Sequence, residues 1–385
     1  MNLFPSSFLH IWNSRPAWAH LLLAGVLLVI AVGLFLWAAQ FLPLDDVGYG
    51  ADWRNVFWGA WQSGSLKYSP GLNNPPWTMW LVWPFALLPF RISWALWTLL
   101  TVVVLVLSVP PCRDGRANIW LTLALLLSFW TIRLLVEGNL AALVVGGVLL
   151  IMNGLRHPNP WALVFGILLA TAKVQESWLL LLMLVWQLLK SWPIQRLLMV
   201  GAGVAGLILP SMLVSGSDWL ASAFGAEGSF LSHAARTTGN AGWLGIARWA
   251  EISPFWTWFV WLAMLATTVW LGQLGKPTLS REKAGFLIAA SMLLSPYTGG
   301  ASLAVLATLG LVPLWQRRFW PGLGLWLLSS SPYLSLLFNS RSGWVWPDWV
   351  QLVLIFMTWA ALGYDIWQME SRILKSRCLS PQSEV

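Results

Sequence analysis

The chemistry in this chain rests on a few charges set among long apolar runs. Asp52 stands immediately before Trp53, Val56, Phe57, Ala60 and Trp61, whose i, i+3, i+4, i+7, i+8 spacing marks one stripe of a helix. Arg54, Asn55 and Gln62 fall on its other side, so this helix is expected to lie in a membrane interface. Two roles compete for Asp52: a cap accepting the free N–H groups at the helix start, or a general base held at the membrane surface. Asp45 and Asp46, just upstream, are a solvated turn in the first case and alternative bases in the second. Lys173 lies in GILLATAKVQESWLLLL, between apolar pieces that are each short for a span. An ionisable residue below the membrane surface is costly and points to function, unless Glu176 at i, i+3 simply neutralises it. Glu137, Gly138 and Asn139 form a tight turn, with Arg133 placed one helical turn earlier to pair with Glu137. A later loop holds His233, Arg236, Asn240, Arg248 and Glu251. Its arginines present donor forks suited to phosphate, and His233 is another candidate base. Ser295, Pro296 and Tyr297 form a polar break, and Tyr333, Asn339, Arg341 and Asp348 complete the set. No HExxH, Walker loop, GxSxG or metal-spaced Cys/His cluster is present.

The elements that must position these residues are membrane helices. Of the 385 residues 58% are hydrophobic and 9% charged, against roughly 25% charged in an ordinary soluble domain, which excludes a soluble globular protein. The net charge of +8 is scattered among apolar runs rather than clustered, so it marks topology and no nucleic-acid partner is expected. The 32 Trp residues suit a chain with many membrane interfaces, where indole prefers the headgroup level. Residues 18 to 39 are too long an apolar run for a cleaved signal peptide and are expected to remain as an anchor.

Clear spans are expected near 18 to 39, 92 to 109, 118 to 135, 197 to 214, 254 to 274, 319 to 338 and 348 to 368. Shorter pieces lie near 139 to 154, 160 to 172, 174 to 190, 284 to 296 and 300 to 315. The piece 75 to 90, broken by Pro84 and Pro89, is expected to stay on the outer side as an interfacial or re-entrant helix. Left uncrossed, it puts 14 of the 22 basic residues on the face that carries both termini; crossing would cut that count to seven. The positive-inside rule therefore predicts twelve spans with both ends in the cytoplasm. The expected fold is an all-α polytopic membrane protein, one domain over 1–385, with outer loops at 40–91 and 215–253. Cys112 and Cys378 fall on the reducing side, so no disulfide is expected.

The order of these features resembles a known family. Asp52-Trp53, the aromatic amphipathic helix, Gly64 with Tyr68, Pro75-Pro76 and PFALLPF resemble the first-loop signature of the GT-C superfamily, and most closely its bacterial polyprenyl-phosphate-mannose-dependent mannosyltransferases. EGN at 137 to 139 sits where that family shows a Gly-Gln-x-Asn turn, and AKVQ at 172 to 175 resembles its Lys-Pro segment. GNAGWLGIAR at 239 to 248 resembles its Asn-x-Ser to Arg stretch, and LLSPY at 293 to 297 its Ser-Pro-His segment. Val174, Glu137 and Tyr297 depart from the family's usual Pro, Gly and His.

The resemblance implies a GT-C-like bundle in a bacterial cytoplasmic (inner) membrane, with its active site on the extracytoplasmic face. A sugar, mannose or another hexose or pentose, would pass from a polyprenyl-phosphate donor to an acceptor hydroxyl of a glycan or glycolipid. Asp52 would be the base, with Asp45 or Asp46 as alternatives. Lys173 and Arg248, aided by Arg236 or Arg341, would bind the donor phosphate, because cations aimed at a leaving phosphate stabilise the transition state. Asn139, Gln175, Asn240 and Tyr297 would bind acceptor or sugar. No cofactor or metal is expected, since a monophosphate leaving group met by Lys and Arg does not demand one. The partners expected are membrane lipids, the lipid-phosphate donor and the acceptor. Two other readings remain: a lipid-linked polysaccharide ligase or polymerase centred on His233 and Arg236, or a secondary transporter, which should show a repeat that the chain lacks.

Overall fold

A computed structural model of the chain describes residue 33 and residues 50–62, 74–111, 118–215, 240–274, 279–333 and 348–379, with side chains to residue 372. The expected first span, 18 to 39 apart from Gly33, and Asp45, Asp46, Gly64, Tyr68, Cys112, His233, Arg236, Asn339, Arg341 and the side chain of Cys378 lie outside the described residues.

Every described element is helical. The first, α1, is a π-helical stretch Trp53–Trp58 continued by Gly59–Gln62; α2 is Pro76–Ala86 and α3 Phe90–Ser108. Then come α4 Ile119–Leu126, α5 Phe129–Glu137, α6 Ala141–Arg156, α7 Pro160–Ala170 and α8 Val174–Ser191. After α9, Ile194–Ser215, the described chain resumes with α10 Trp243–Trp249, α11 Pro254–Gln273 and α12 Arg281–Leu294. A composite α13 follows (Leu303–Leu306, π-helical Ala307–Leu311, Val312–Arg317), then α14 Phe319–Ser330 and α15 Asp348–Leu379. Local signals set several starts. Pro76, Pro160 and Pro254 take first-turn positions where no N–H is needed. The side chains of Asn118, Ser128, Asn159 and Ser280 accept first-turn N–H groups.

Five helical runs are long and apolar enough to cross a membrane: Phe90–Ser108, Pro160–Ser191, Ile194–Val214, Pro254–Gln273 and Asp348–Arg372. The pair α4 and α5, bent by 59°, makes a sixth if taken as one. This is an all-helical architecture compatible with a membrane protein, with fewer qualifying spans among the described residues than the twelve expected. The shortfall is physical in part, because α6, with 16 residues, and α12, with 14, are too short to qualify alone.

The run Pro160–Ser191 also differs from a single straight rod. At Lys173 the backbone leaves the helical region (φ −135°, ψ 83°) after a 3₁₀ turn at Thr171–Lys173. On α7 the neighbours run antiparallel to α6: Leu163 lies by Gly154, Gly166 by Ile151 and Ala170 by Gly147. On α8 the partner is α12, where the Leu179 N–H donates to Ser291 Oγ and Met183 reaches Gly272 beside Leu287. The C-terminal end of α12 leads to Gly300, which packs on Arg133 of α5, whereas its N-terminal Arg281 donates to the Ser108 carbonyl at the close of α3. Thus α7 approaches and α8 leaves the end that holds Asp52, and the chain turns back at Lys173, as its polar sequence foretold. We call this the site end and the opposite one the far end.

The close approach of α6 and α7 depends on Gly147: a Cβ there would come within 2.4 Å of the Ala170 nitrogen. Small residues at such crossings let helix backbones meet where no hydrophobic drive separates lipid from protein. The main apolar core joins α5, α6, α7, α8, α12, α13 and α15. A smaller core of Trp53, Phe57, Val82, Trp94, Trp97, Leu140, Leu143 and Ala172 underlies the site end.

Candidate functional site

Helix α1 is positioned by its tryptophans. Trp53 is fully buried, stacks on Trp97 with ring centroids 4.7 Å apart, and donates its indole N–H to Ser93 Oγ at 2.9 Å. Phe57, one stripe position on, is buried with it. Trp58 and Trp61 donate to the Leu88 and Met79 carbonyls at 3.0 Å. The apolar stripe expected from the sequence therefore packs onto α2 and α3 within the protein. The π-helical winding is enabled at Gly59, whose N–H bonds the Arg54 carbonyl five residues back and whose Cβ would lie 2.4 Å from that oxygen; such turns occur often at functional sites.

Asp52 does not cap this helix. Its own backbone is already helical (φ −65°, ψ −42°) and its side chain makes no capping bond. Instead its half-buried carboxylate accepts a 2.7 Å hydrogen bond from Asn139 Nδ2. Asn139 is itself held: its Oδ1 accepts from the Ala141 N–H at 3.1 Å and its carbonyl from the Trp97 indole at 3.3 Å. The turn that presents it depends on Gly138, left-handed at φ 71°, where a Cβ would meet Trp53 Cβ at 2.6 Å. The same turn is tied back to α1, for the Gly50 N–H donates to the Val136 carbonyl at 2.6 Å.

Two ion pairs border this contact. Arg133 Nε lies 2.7 Å from Glu137 Oε1, the structural pair expected from the i, i+4 spacing. Lys173 Nζ lies 3.3 Å from Glu176 Oε1, so the neutralising partner considered above is present. Glu137 sits within the electrostatic reach of Asp52 and Lys173 as well as Arg133, which joins the pairs into one cluster. The Lys173 turn is anchored by Asn74 Nδ2, donating to the Ala172 carbonyl at 2.8 Å, and by the Trp77 indole, donating to Thr171 Oγ1 at 3.0 Å. Neither anchor was foreseen in the sequence, because a loop asparagine beside Pro75 carries no mark of its distant partner.

The other candidates are placed differently. Asn240 spends its amide on the backbone: Nδ2 donates to the Pro296 carbonyl at 2.8 Å, and Oδ1 accepts from the Gly242 and Thr298 N–H groups at 3.1 and 3.0 Å. It thereby fastens the start of α10 to the loop carrying half-buried Tyr297, whose hydroxyl lies over Gly299. Gln175 is half-buried beside the Lys173 turn, and Arg248 stands on the exposed last turn of α10. No group of three or more His, Cys, Asp or Glu among the described residues is arranged to hold a metal.

No family model, curated protein or solved structure matches the chain. Its chemistry must therefore be read from the cluster itself: a carboxylate aimed by an amide, linked through Glu137 to an ammonium and a guanidinium, at one end of an apolar helical body. Such a set can accept a proton from a hydroxyl and meet an anion in one place.

Proposed function

We propose that this protein is a membrane glycosyltransferase that moves a sugar from a polyprenyl-phosphate donor to an acceptor hydroxyl on the extracytoplasmic face of a bacterial cytoplasmic membrane. The wider reading is a GT-C-like bundle of about twelve spans with interfacial elements in its first outer loop. The observation that carries it is the Asn139–Asp52 contact at 2.7 Å in the same cluster as Lys173. Asp52 takes the proton of the acceptor hydroxyl as that oxygen attacks the anomeric carbon. The bond from that carbon to the phosphate oxygen breaks, and Lys173 meets the charge left on the polyprenyl phosphate. Arg248, with Arg236 and Arg341, is proposed to complete the phosphate site, and Gln175 and Tyr297 to face the sugar or acceptor.

Asp52→Asn tests this directly. The amide keeps the size of the side chain and an oxygen to accept from Asn139, but it takes no proton. Expression and donor binding should persist while transfer of radiolabelled sugar falls on the order of 10²-fold or more, the scale of a lost general base. Normal transfer by Asp52→Asn, with Asp45→Asn or Asp46→Asn dead, would move the base into the upstream turn. Normal transfer by all three would overturn the glycosyltransferase assignment and bring the ligase reading, centred on His233, forward.

A further inference from the structure

Glu176 has no part in the transfer step above, yet it is the most deeply buried acid of the cluster. Its side chain has no exposed surface, whereas that of Lys173 keeps 11%. Ser302 lies beside it, but neither its hydroxyl nor the Lys173 ammonium is aligned to give either carboxylate oxygen a well-formed hydrogen bond. Its negative charge is met by the Lys173 ammonium at 3.3 Å. A buried carboxylate stripped of its counter-ion neutralises itself rather than remain charged.

The surroundings make that situation arise whenever an anion binds. Lys173 reaches Glu176 from the 3₁₀ turn. Arg133 and Glu137 face the cluster from α5, where Arg133 also packs on Gly300; Asp52 joins through Glu137. Ser302 comes from the turn after α12, near the Tyr297 hydroxyl over Gly299, while α12 presents Ser291 to the next turn of α8. Among the described residues, and apart from the arginines proposed to complete the phosphate site, the groups linked in this cluster are thus three carboxylates and two cations. A phosphate would add a fourth anion to a site of low dielectric, where unlike charges must balance closely.

Resting on the assignment of Lys173 to the donor phosphate, we propose that Glu176 is an exchangeable counter-ion: when phosphate captures Lys173, Glu176 is released and takes up one proton from solvent. Lys173 keeps its positive charge, the phosphodiester keeps its single negative charge, and Glu176 passes from carboxylate to acid. The net charge of the site is the same before and after binding. Glu176 is in this sense a positioning residue, holding the ammonium in place while the site is empty.

The experiment measures binding of geranylgeranyl methyl phosphate to the full chain in detergent. This diester carries one charge throughout the neutral range, so any pH dependence belongs to the protein. Wild type should bind more tightly as pH falls from about 8 to about 6, by up to about tenfold per unit, the slope for one proton taken up. Calorimetry in two buffers of different ionisation heat should count about one proton. Glu176→Gln should bind with no such slope, and at least as tightly as wild type at the lower pH. A flat wild-type profile with no proton uptake overturns the proposal, and so does a slope that survives in Glu176→Gln, which would assign the proton to Glu137 or Asp52. Should Glu176→Gln fail to fold, Glu176→Met replaces it, with the same two outcomes, and a proton count of zero in wild type overturns the proposal without any variant. Lys173→Met separates this idea from the one beneath it. Unchanged diester binding there breaks the phosphate assignment itself, while lost binding alongside a flat wild-type profile removes only the proton coupling.

Discussion

Two clusters of charge sit at opposite ends of this helical body, and they differ in how their buried acid is met. At the far end Arg318 closes on Asp365 of α15 at 2.5 Å, Arg317 stands 3.9 Å from the same carboxylate, and Arg317 also faces Glu282 at 3.9 Å. Arg318 is fixed further by the Tyr364 ring at 4.9 Å and by Gln368 Oε1 at 3.2 Å. There two acids, Asp365 and Glu282, face two arginines, and Asp365 is only 1% exposed while the arginines reach solvent. At the site end, Asp52, Glu137 and Glu176 share Arg133 and Lys173. A buried acid met by two arginines from another part of the chain ties helices together, whereas the buried Glu176 is met by a single ammonium three residues away on its own stretch of chain, and that ammonium is the group available for exchange. The first arrangement is structural; the second suits a ligand site.

The largest effect expected from breaking this contrast is on stability, at the far end. Arg318→Met removes the 2.5 Å partner of a carboxylate that has almost no solvent. Removing one member of a buried pair costs about 3–5 kcal/mol, and the lower figure applies because Arg317 remains nearby. The melting temperature in detergent should fall markedly, while sugar transfer by the surviving folded protein stays near wild type. Asp365→Asn should be milder, because it leaves behind arginines that are already partly solvated. Equal losses from the two variants would show that the pair acts through shape rather than charge.

A smaller effect is expected at the site end, and it should appear in catalysis. Asn139→Ala removes the 2.7 Å donor to Asp52 and the 3.1 Å acceptor of the Ala141 N–H. A freed carboxylate is misaimed part of the time, so kcat should fall about tenfold, equivalent to about 1.4 kcal/mol. KM for the donor should change little, because Lys173 is untouched. A rise in KM with kcat preserved would mean that Asn139 contacts a substrate instead of aiming the base.

The sequence carried much of this arrangement, but not the partners. The Trp53 stripe, the Glu137–Asn139 turn and the break at Lys173 were legible, since periodicity, glycine and a charge inside an apolar run are local signals. The i, i+3 and i, i+4 ion pairs were legible for the same reason. That Asp52 is bonded to Asn139, 87 residues away, was not, and local pattern left open a cap that the structure lacks. Asn240, given an acceptor or sugar role only by the resemblance, binds two backbone loops together, a structural part that its local sequence did not reveal. The contrast between the two ends was also hidden, because Asp365 lies in α15 and Arg318 in the break between α13 and α14, and their spacing encodes no pairing.

The smallest expected effect tests whether the pair bordering Asp52 belongs with the loose end or the locked one. Arg133 and Glu137 are bonded at 2.7 Å but remain 24% and 21% exposed, with the guanidinium 5.8 Å from the Trp130 ring. Water reaches both partners, so their Coulomb attraction is screened and the held rotamers offset part of it. A double-mutant cycle with Arg133→Gln and Glu137→Gln, read as thermal stability in detergent, should give a coupling of no more than about 1 kcal/mol. Glu137→Gln also removes one of the two acids that act on Lys173, so it should tighten prenyl-phosphate binding modestly while Arg133→Gln weakens it. A coupling as large as the Arg318 effect, or binding unmoved by either variant, would show that this pair is a lock like the one around Asp365. The surplus of acid at the site end would then be a consequence of packing rather than a setting for an anion.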